Sequence, residues 1–421
     1  MKDNNLDSKL LERAMRVMDE VEGKICCRCM GRMFSHDLEA SDNLVRGEYI
    51  RVQIQNNANS CIDCSKVPEC IICNNIFLKI NNDLIEYISN CINDADIEFE
   101  TFLVGSRVNK DIIEKEAEIH EIVHVDVENI KKEINREIGK ALSIRMSKEV
   151  DFEAPNLVIL VDLTKNTDDP QLYFQINPIF IEGRYRKLVR DIPQTKWPCR
   201  QCKGMGCERC HYTGKMYQES VEELISPEVL KEAKGTDSKF HGAGREDIDV
   251  KMLGPGRPFV LEIKEPHKRD LDLEDLEDRI NRQAAGKVEV LNLKFVGKNR
   301  RKQIKTSSTD TYKVYHARVK LNRDITPKDL ELIKSLRKIE QRTPQRVVHR
   351  RADLIRTREV RKIDVEVLND RCINLIIECQ GGLYIKELVS GDDSRTQPSI
   401  SSILKTKAQC IQLDVLDVHI E

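Results

Sequence analysis

The segment Gly244-Arg245-Glu246-Asp247-Ile248-Asp249-Val250 sets one basic side chain against three acidic ones. It follows a glycine-containing loop and precedes a predicted strand, and a carboxylate there is a candidate nucleophile or base. The same residues would also suit a surface turn closed by a local ion pair, so the pattern alone leaves both interpretations open. The nearby Leu253-Gly254-Pro255-Gly256-Arg257-Pro258 lacks the Lys-Ser/Thr ending of a P-loop and does not open a helix, which excludes that motif.

The chain has 15 cysteines, and most of them fall in Cys-x-x-Cys pairs. Such a pair places two thiolates on one tight turn, which suits tetrahedral zinc better than a disulfide in a reducing compartment. We assign an N-terminal structural zinc site to Cys26, Cys29, Cys70 and Cys73. Cys61 and Cys64 form a third pair and Cys27 is spare, so the ligand set of this site stays open.

A second cysteine cluster is more compact and has the pattern CxxCKGMGCxxC. Gly204 and Gly206 separate its two pairs and permit the chain reversal that brings them together. Four protein thiolates would close the metal site, which predicts a structural rather than a catalytic zinc. Its ligands would be Cys199, Cys202, Cys207 and Cys210.

The elements that position these groups are predicted from apolar spacing and β-branched runs. Helical spacing predicts helices over residues 6–22, 76–93, 126–146, 221–233 and 271–284. Strands are predicted over 100–108, 156–163, 172–176, 179–181, 249–252 and 258–263, with a loop over 235–244. The mixture indicates an α+β protein. The linker signal PQTKWP predicts two domains, residues 1–190 and 191–421.

The net charge of −2 gives no overall signal for nucleic acid, but arginines concentrate over residues 342–362. Such a run is consistent with a solvated face, yet the planar guanidinium also matches phosphate geometry. No apolar stretch is long enough to span a membrane, and the N-terminus lacks the pattern of a secretory signal. We therefore expect a cytoplasmic protein.

Four long motifs resemble the Pus10 family of pseudouridine synthases, and they occur in that family's order. They are HGAGREDIDVKMLGPGRPFVLEIKEP from His241, GRYRKLVRDIPQTKW from Gly183, QRTPQRVVHRRADLIR from Gln341 and GGLYIKELVSGDDSRTQPSIS from Gly381. The resemblance covers nearly the whole chain, and the CxxCxGxGCxxC insert is similar to the archaeal branch. It implies a THUMP-type RNA-binding module over about 59–186. It also implies a C-terminal catalytic domain with a mixed, mainly antiparallel sheet.

The resemblance also implies roles for individual residues. Gly244-Arg245-Glu246-Asp247 matches the family's Gly-Arg-Thr-Asp register, which makes Asp247 the catalytic aspartate. Tyr384-Ile385-Lys386 is similar to the Tyr-Ile-Arg segment, whose basic residue pairs with the aspartate. Tyr312 is the expected base-stacking aromatic, with Tyr315 as its competitor. The remaining substrate-binding candidates are Arg184, Tyr384, Arg395 and Leu413.

The implied reaction isomerises uridine to pseudouridine in the T-loop of tRNA, at positions 54 and 55. The substrate supplies every atom, so we expect no catalytic cofactor and no small-molecule cosubstrate. The protein is expected to be a monomer whose partner is the tRNA T-arm. A non-catalytic tRNA-binding or folding protein is the rival from another class. A THUMP-linked methylase or thiolase would need a cofactor loop, and none is found in the sequence.

Overall fold

The computed structural model describes residues 6–58, 69–123, 127–165, 170–305 and 311–419. It divides the chain into two compact units, Met1–Asn177 and Pro178–Glu421. The division precedes the predicted boundary at residue 190, because the strand that follows residue 178 pairs with strands of the C-terminal unit. In the described part of the chain, none of the helices has the length and apolar character needed to cross a bilayer.

The N-terminal unit packs helices against a small mixed sheet. Its helices are α1 (Ser8–Glu20), α2 (Cys27–Met33), α3 (Asn43–Ala58), α4 (Asn82–Asp94), α5 (Lys110–Val123) and α6 (Ile130–Met146). Its strands are β1 (Thr101–Arg107), β2 (Glu149–Val150), β3 (Leu157–Asp162) and β4 (Gln171–Ile176). The sheet order is β2-β1-β3-β4, with β3 and β4 antiparallel and the other two pairs parallel.

Helix α6 shows why the apolar spacing was informative. Its side chains at four-residue intervals, Ile130, Ile134, Ile138 and Leu142, are all fully buried in the core of the unit. Asn129 caps the helix by accepting a hydrogen bond from the backbone N–H of Lys132 at 3.0 Å. The apolar stripe therefore turns towards β1, against which the helix packs.

The C-terminal unit is built on one large sheet. Its helices are α7 (Val221–Glu232), α8 (Leu273–Gln283), α9 (Arg300–Gln303), α10 (Pro327–Lys334), α11 (Ile385–Ser390) and α12 (Ile400–Leu404). Its strands are β5 (Ile179–Lys187), β6 (Asp237–Gly242), β7 (Lys251–Lys264), β8 (Val288–Phe295), β9 (Tyr312–Leu321), β10 (Lys338–Arg342), β11 (Ile355–Asn369), β12 (Cys372–Gln380), β13 (Thr396–Gln397) and β14 (Ala408–Val418).

The sheet order is β13-β10-β11-β12-β9-β14-β7-β5-β8, with β6 paired to β7. Every described pair in it is antiparallel except β14 with β7, which confirms the predicted mixed, mainly antiparallel sheet. Two predictions were wrong. The loop expected over 235–244 contains β6, and the two strands expected over 249–263 are one strand that continues through Gly254 and Gly256.

Candidate active site and cysteine clusters

The predicted catalytic segment lies on the loop between β6 and β7, where a buried ion pair anchors it. Glu246 accepts hydrogen bonds from Nε of Arg257 at 2.8 Å and from the hydroxyl of Tyr185 at 2.9 Å. All three residues are buried. Burial raises the pKa of Tyr185, and the Glu246 carboxylate raises it further. The phenol therefore stays protonated and donates a hydrogen bond to Glu246. The ion pair is therefore part of the core, whereas the surface-turn interpretation would place it in solvent.

A buried lysine fixes the backbone of the same loop. Nζ of Lys187 donates to the carbonyl oxygens of Ile192 at 3.0 Å, Asp247 at 3.1 Å and Ile248 at 3.1 Å. Gly244 has φ +75°, and a Cβ there would lie 3.3 Å from Nζ of Lys313. The left-handed backbone therefore favours glycine at this position, and any larger residue would also require the Lys313 side chain to shift slightly.

Asp247 is held between two cations at the surface of a large cavity. A terminal guanidinium nitrogen of Arg346 lies 2.9 Å from its carboxylate, and Nζ of Lys386 lies 3.6 Å away. The Asp247 side chain keeps 30% of its surface exposed, so a substrate can reach it. The structure therefore brings together the two residues, Asp247 and Lys386, that the sequence motifs paired.

Both cations also hold a second carboxylate. Lys386 makes its shorter hydrogen bonds to Asp249, at 2.8 and 2.9 Å, while Arg346 donates through Nε to Glu387 at 2.6 Å. Burial opposes ionisation of Asp249, but the hydrogen bond and the charge of Lys386, together with the charge of Arg346 and a backbone hydrogen bond, outweigh it and lower the pKa of that carboxyl. The carboxylates and cations form an alternating network, which fixes the positions of the charges around Asp247.

The cavity beside Asp247 has a volume of about 900 Å³. Its described lining is strongly basic, since the acidic side chains there are Glu246, which is already paired with Arg257, and Asp247. Such a wall is suited to a polyanion. The basic side chains that line it are Arg245, Arg257, Lys305, Lys313, Arg346, Arg351, Arg356, Arg358 and Lys386.

The two candidate aromatics on β9 lie in different places. Tyr315 lines the cavity, and burial raises its pKa, so the ring is a neutral phenol at physiological pH. Tyr312 is not among the residues that line it, and its ring stacks on His419 with centroids 4.0 Å apart. Residues three apart on a strand face opposite sides of the sheet, which explains the difference. Of the two tyrosines, it is therefore the competitor Tyr315 that lines the cavity together with Asp247.

Of the other four predicted substrate-binding residues, two line the cavity and two do not. Tyr384 and Leu413 line the cavity. Arg395 does not, because its guanidinium binds the carbonyl of Thr343 and pairs with Asp353. Arg184 does not either, and it donates to backbone carbonyls near Gly256 and at the end of β14. Their described contacts tie loops and strands of the C-terminal unit together.

Three residues that position the site were missed by the sequence reasoning. Arg346 was assigned only to a phosphate-binding run, and Lys187 and Arg190 were not singled out. Arg190 donates to the carbonyls of Asp249 at 2.7 Å and Leu413 at 3.0 Å, so it joins the loop that carries Asp247 to the cavity wall. Basic residues around the motif GRYRKLVRD were the available signal, but their partners are distant in sequence.

The N-terminal cysteines converge as predicted. The four Sγ atoms of Cys26, Cys29, Cys70 and Cys73 all lie within 4.8 Å of one another, and Cys26 is 3.7 Å from Cys73. Zn–S bonds of about 2.3 Å in a tetrahedron require sulfur atoms about 3.8 Å apart, whereas a disulfide needs about 2.05 Å. The cluster therefore fits a metal ion. The alternative ligands Cys61 and Cys64 lie outside the described residues.

The second cluster forms a small structure of its own, the cysteine ribbon (residues 196–216). Its Sγ atoms are 3.9 Å apart for Cys199 and Cys207 and 3.8 Å apart for Cys202 and Cys210, which again fits a tetrahedral ion. The glycines expected to reverse the chain, Gly204 and Gly206, have φ of +104° and +94°. Both cysteine sets can thus hold a metal.

Comparison with known proteins gives the same assignment over most of the chain. The family model described as "Pus10, C-terminal" matches residues 180–419, and that described as "Pus10 THUMP domain, archaeal" matches residues 90–162. The chain belongs to the Pus10 family. It is accordingly a tRNA pseudouridine synthase, an isomerase that acts on tRNA, with a THUMP domain in its N-terminal part.

Several archaeal members of the Pus10 family are similar to this chain, each named tRNA pseudouridine synthase Pus10. The Methanothermobacter marburgensis protein is 49% identical over 97% of this chain and 98% of its own length. The Methanocaldococcus jannaschii protein is 45% identical over 95% of this chain and 85% of its own length. The Pyrococcus furiosus protein is 41% identical over 97% of this chain and 98% of its own length. A solved Cbf5-Nop10-Gar1 complex aligns with 18% identity over 47% of this chain and 45% of that chain, with a TM-score of only 0.29.

Proposed function

We propose that this isomerase converts uridines 54 and 55 in the T-loop of tRNA, and that Asp247 is the nucleophile. The main support for this proposal is that Asp247 lies between Arg346 and Lys386 on the wall of a cavity lined with cations. Attack on the ribose requires a carboxylate whose charge is compensated by nearby cations, and those of Arg346 and Lys386 lie within 4 Å of Asp247.

The proposed reaction uses no atoms other than those of the substrate. The Asp247 carboxylate attacks C1′ of the ribose, the bond between C1′ and N1 breaks, and the uracil leaves with its electron pair. The freed ring turns, C5 bonds to C1′, and the carboxylate is released. The proton on C5 passes to solvent and N1 takes up a proton, so the product is an isomer of the substrate.

The cavity lining suggests how the freed uracil is held. We assign base stacking to Tyr315 in place of Tyr312, because Tyr315 lines the cavity that contains Asp247. A neutral tyrosine ring offers a flat surface on which the base can turn with little loss of conformational entropy. Leu413 and Tyr384 complete the wall, and Arg351, Arg356 and Arg358 are placed to bind phosphates of a strand whose uridine is flipped out.

Asp247→Asn tests the nucleophile directly. It preserves shape and removes the charge, so we expect release of tritium from tRNA labelled at C5 of uridine to fall at least about 10⁴-fold, with tRNA affinity changed little. Asp249→Asn is the matched control, since it removes the neighbouring carboxylate and should lower the rate by less than about tenfold. Equal rates for Asp247→Asn and the wild type would refute the assignment.

Mapping of the modified positions tests the T-loop. We expect pseudouridine at positions 54 and 55 when a tRNA transcript is incubated with the protein and read by carbodiimide-dependent primer extension. Transcripts with cytidine at one of the two positions separate the two activities. Modification confined to another arm of the tRNA would contradict this part of the proposal.

Lys313 is assigned to a phosphate next to the flipped uridine. It lines the cavity and is half-buried, and its ammonium makes no hydrogen bond or ion pair with a described residue. Burial lowers its pKa to about 8. Below that pH the ammonium is charged and can bind phosphate, and above it the free protein loses the charge. Affinity for tRNA should therefore weaken as pH rises above 8, and Lys313→Arg should flatten this dependence. An identical pH profile in the variant would contradict the role.

We further propose structural zinc at both cysteine clusters, a monomeric state and a cytoplasmic location. Mass spectrometry of the metal content should give two zinc ions per wild-type chain and one for either Cys26→Ser/Cys29→Ser or Cys199→Ser/Cys202→Ser. Iron in place of zinc would contradict the metal assignment. Light scattering of the purified protein tests the monomer.

A further inference from the structure

The base of the cysteine ribbon is continuous with the candidate active site. Gln194 donates a hydrogen bond to the carbonyl of Gly244 at 2.9 Å, and the chain reaches Trp197 three residues later. A bridge between Pro198 and Lys215 then closes the stem of the ribbon. The insert is therefore attached directly beside the loop that carries Asp247.

A second, smaller cavity connects the ribbon to Asp247. It has a volume of about 210 Å³, and Trp197 and Asp247 both line it, together with Arg346 and Lys386. Arg245 lines both cavities, and its guanidinium lies over the Trp197 ring, 5.5 Å from the centroid. A strand that bends into the main cavity at Asp247 would thus have a route over Trp197 onto the ribbon.

The outer surface of the ribbon has the chemistry of a single-strand RNA contact. Tyr212 is 73% exposed and Met205 is 87% exposed. Residues 196–215 carry five basic side chains and one acidic side chain. A divalent ion on four thiolates adds two negative charges, so the segment stays net positive.

Three of those basic residues are available to a ligand. Arg200, Lys203 and Arg209 are exposed and make no ion pair with any residue that the structure describes. An exposed aromatic ring among unpaired cations is the combination that binds bases by stacking and phosphates by charge.

We propose that the cysteine ribbon is a second RNA-contacting surface, which holds the stretch of tRNA next to the target uridine. Trp197 and Arg245 support the strand as it leaves the main cavity, the three cations bind its phosphates, and Tyr212 stacks on a base. This inference rests on the proposed function, because its ligand is the strand that bears the uridine at Asp247.

Charge reversal tests the phosphate contacts. Arg200→Glu/Lys203→Glu/Arg209→Glu should raise the Kd for tRNA at least about tenfold and reduce the slope of log Kd against log salt by about 2, since each single-strand phosphate contact contributes about 0.7. The matched control is Lys328→Glu/Lys334→Glu/Lys338→Glu, three exposed lysines of the same unit that line neither cavity. A full complement of zinc shows that each variant keeps both cysteine sites.

Substitution of Tyr212 tests stacking. Its backbone has φ +61°, so Tyr212→Asn removes the ring with a residue that tolerates the left-handed conformation. We expect affinity for tRNA to fall about tenfold, the usual scale for loss of one stacked base. Photo-crosslinking from benzoylphenylalanine at position 212 should label nucleotides that flank the T-loop uridines.

The outcomes separate this inference from the proposed function. Binding is measured without turnover, so weak binding by the ribbon variants supports the inference even if the wild type converts no T-loop uridine. That result would refute only the proposed T-loop activity. The inference would be overturned if the Kd and the salt slope of both ribbon variants stayed within twofold of the wild-type values. The exposed face of the ribbon would then be assigned to contact with a protein partner. Crosslinks confined to the anticodon arm would overturn it as well.

Discussion

The two cysteine clusters have the same ligands and nearly the same sulfur spacing, but their surroundings are opposite. In the N-terminal unit, Cys29, Cys70 and Cys73 belong to the main hydrophobic core. In the cysteine ribbon, the described buried cluster consists of the cysteines themselves. A metal ion in the first cluster would therefore complete a core, whereas one in the second cluster would substitute for a core.

The surroundings of Cys29 show how far the first cluster is integrated. The neighbouring Arg32 is fully buried, donates to the Cys29 sulfur at 3.5 Å and pairs with Glu116 at 3.0 Å and Glu133 at 2.8 Å. Glu116 also accepts the backbone N–H of Ile130, at the start of α6. The N-terminal cluster is thus linked through buried charges to the helix that packs on β1.

The largest effect should come from Cys70→Ser. Loss of this ligand removes most of the metal-binding free energy, which in such sites is folding free energy, and leaves buried thiols in a core. We expect the N-terminal unit to lose on the order of 5 kcal/mol, comparable with the whole stability of a domain. Limited proteolysis should then digest residues before 177 first. A native-like digestion pattern would mean that this core does not depend on its metal.

Arg32→Met should have the next largest effect. It leaves Glu116 and Glu133 buried without their shared cation, which costs about 3–5 kcal/mol. The ribbon offers the matched control, Lys215→Met, which breaks a partly exposed pair with Glu223 worth at most about 1 kcal/mol. Urea denaturation of the two variants measures both values. Similar losses would remove the proposed contrast between the clusters.

Cys202→Ser should have a smaller, local effect. We expect one metal ion to be lost and the ribbon to unravel, while the large sheet of the C-terminal unit stays folded because the ribbon contributes little to its core. The chain's single tryptophan, Trp197, lies at the base of the ribbon and reports the change in its fluorescence. Far-ultraviolet circular dichroism should change only slightly. A cooperative loss of the β-sheet circular dichroism signal would show that the C-terminal unit needs the ribbon in order to stay folded.

The smallest effect concerns the order of metal loss under a chelator. Clusters outside a packed core open more readily than those within it, so the ribbon should release its ion first. Release followed with a metal-binding dye should show two phases, and the fast phase should coincide with the change in Trp197 fluorescence. If the fluorescence change coincided with the slow phase instead, the ribbon would be the cluster that retains its ion longer.

The sequence predicted the parts of this architecture that depend on local spacing. Cys-x-x-Cys pairs, the four-residue apolar repeat of α6 and the motif around Asp247 are all local patterns, and the structure contains each of them. The pairing of Asp247 with Lys386 came from family motifs, because nothing local brings two such distant positions of the chain together.

The remaining features depend on strand register and long-range contacts. The resemblance favoured Tyr312 over Tyr315, because the sequence does not show which face of β9 each residue occupies. Arg346 lies in the short helical turn Gln345–Arg350, and its approach to Asp247 depends on the fold between them. Strand β6 was assigned to a loop because Asp237–Gly242 has little β-branched character, and its pairing with β7 outweighs that preference.

The position of β14 has a consequence for biosynthesis. It is the last described strand in the chain, yet it lies in the middle of the sheet and joins β9 to β7. A nascent chain that still lacks residues 408–418 would therefore carry two separate half-sheets, each with an open inner edge and without the Leu413 wall of the cavity. The isomerase half must finish folding after most of it has left the ribosome, in a slow step dominated by contacts between distant segments.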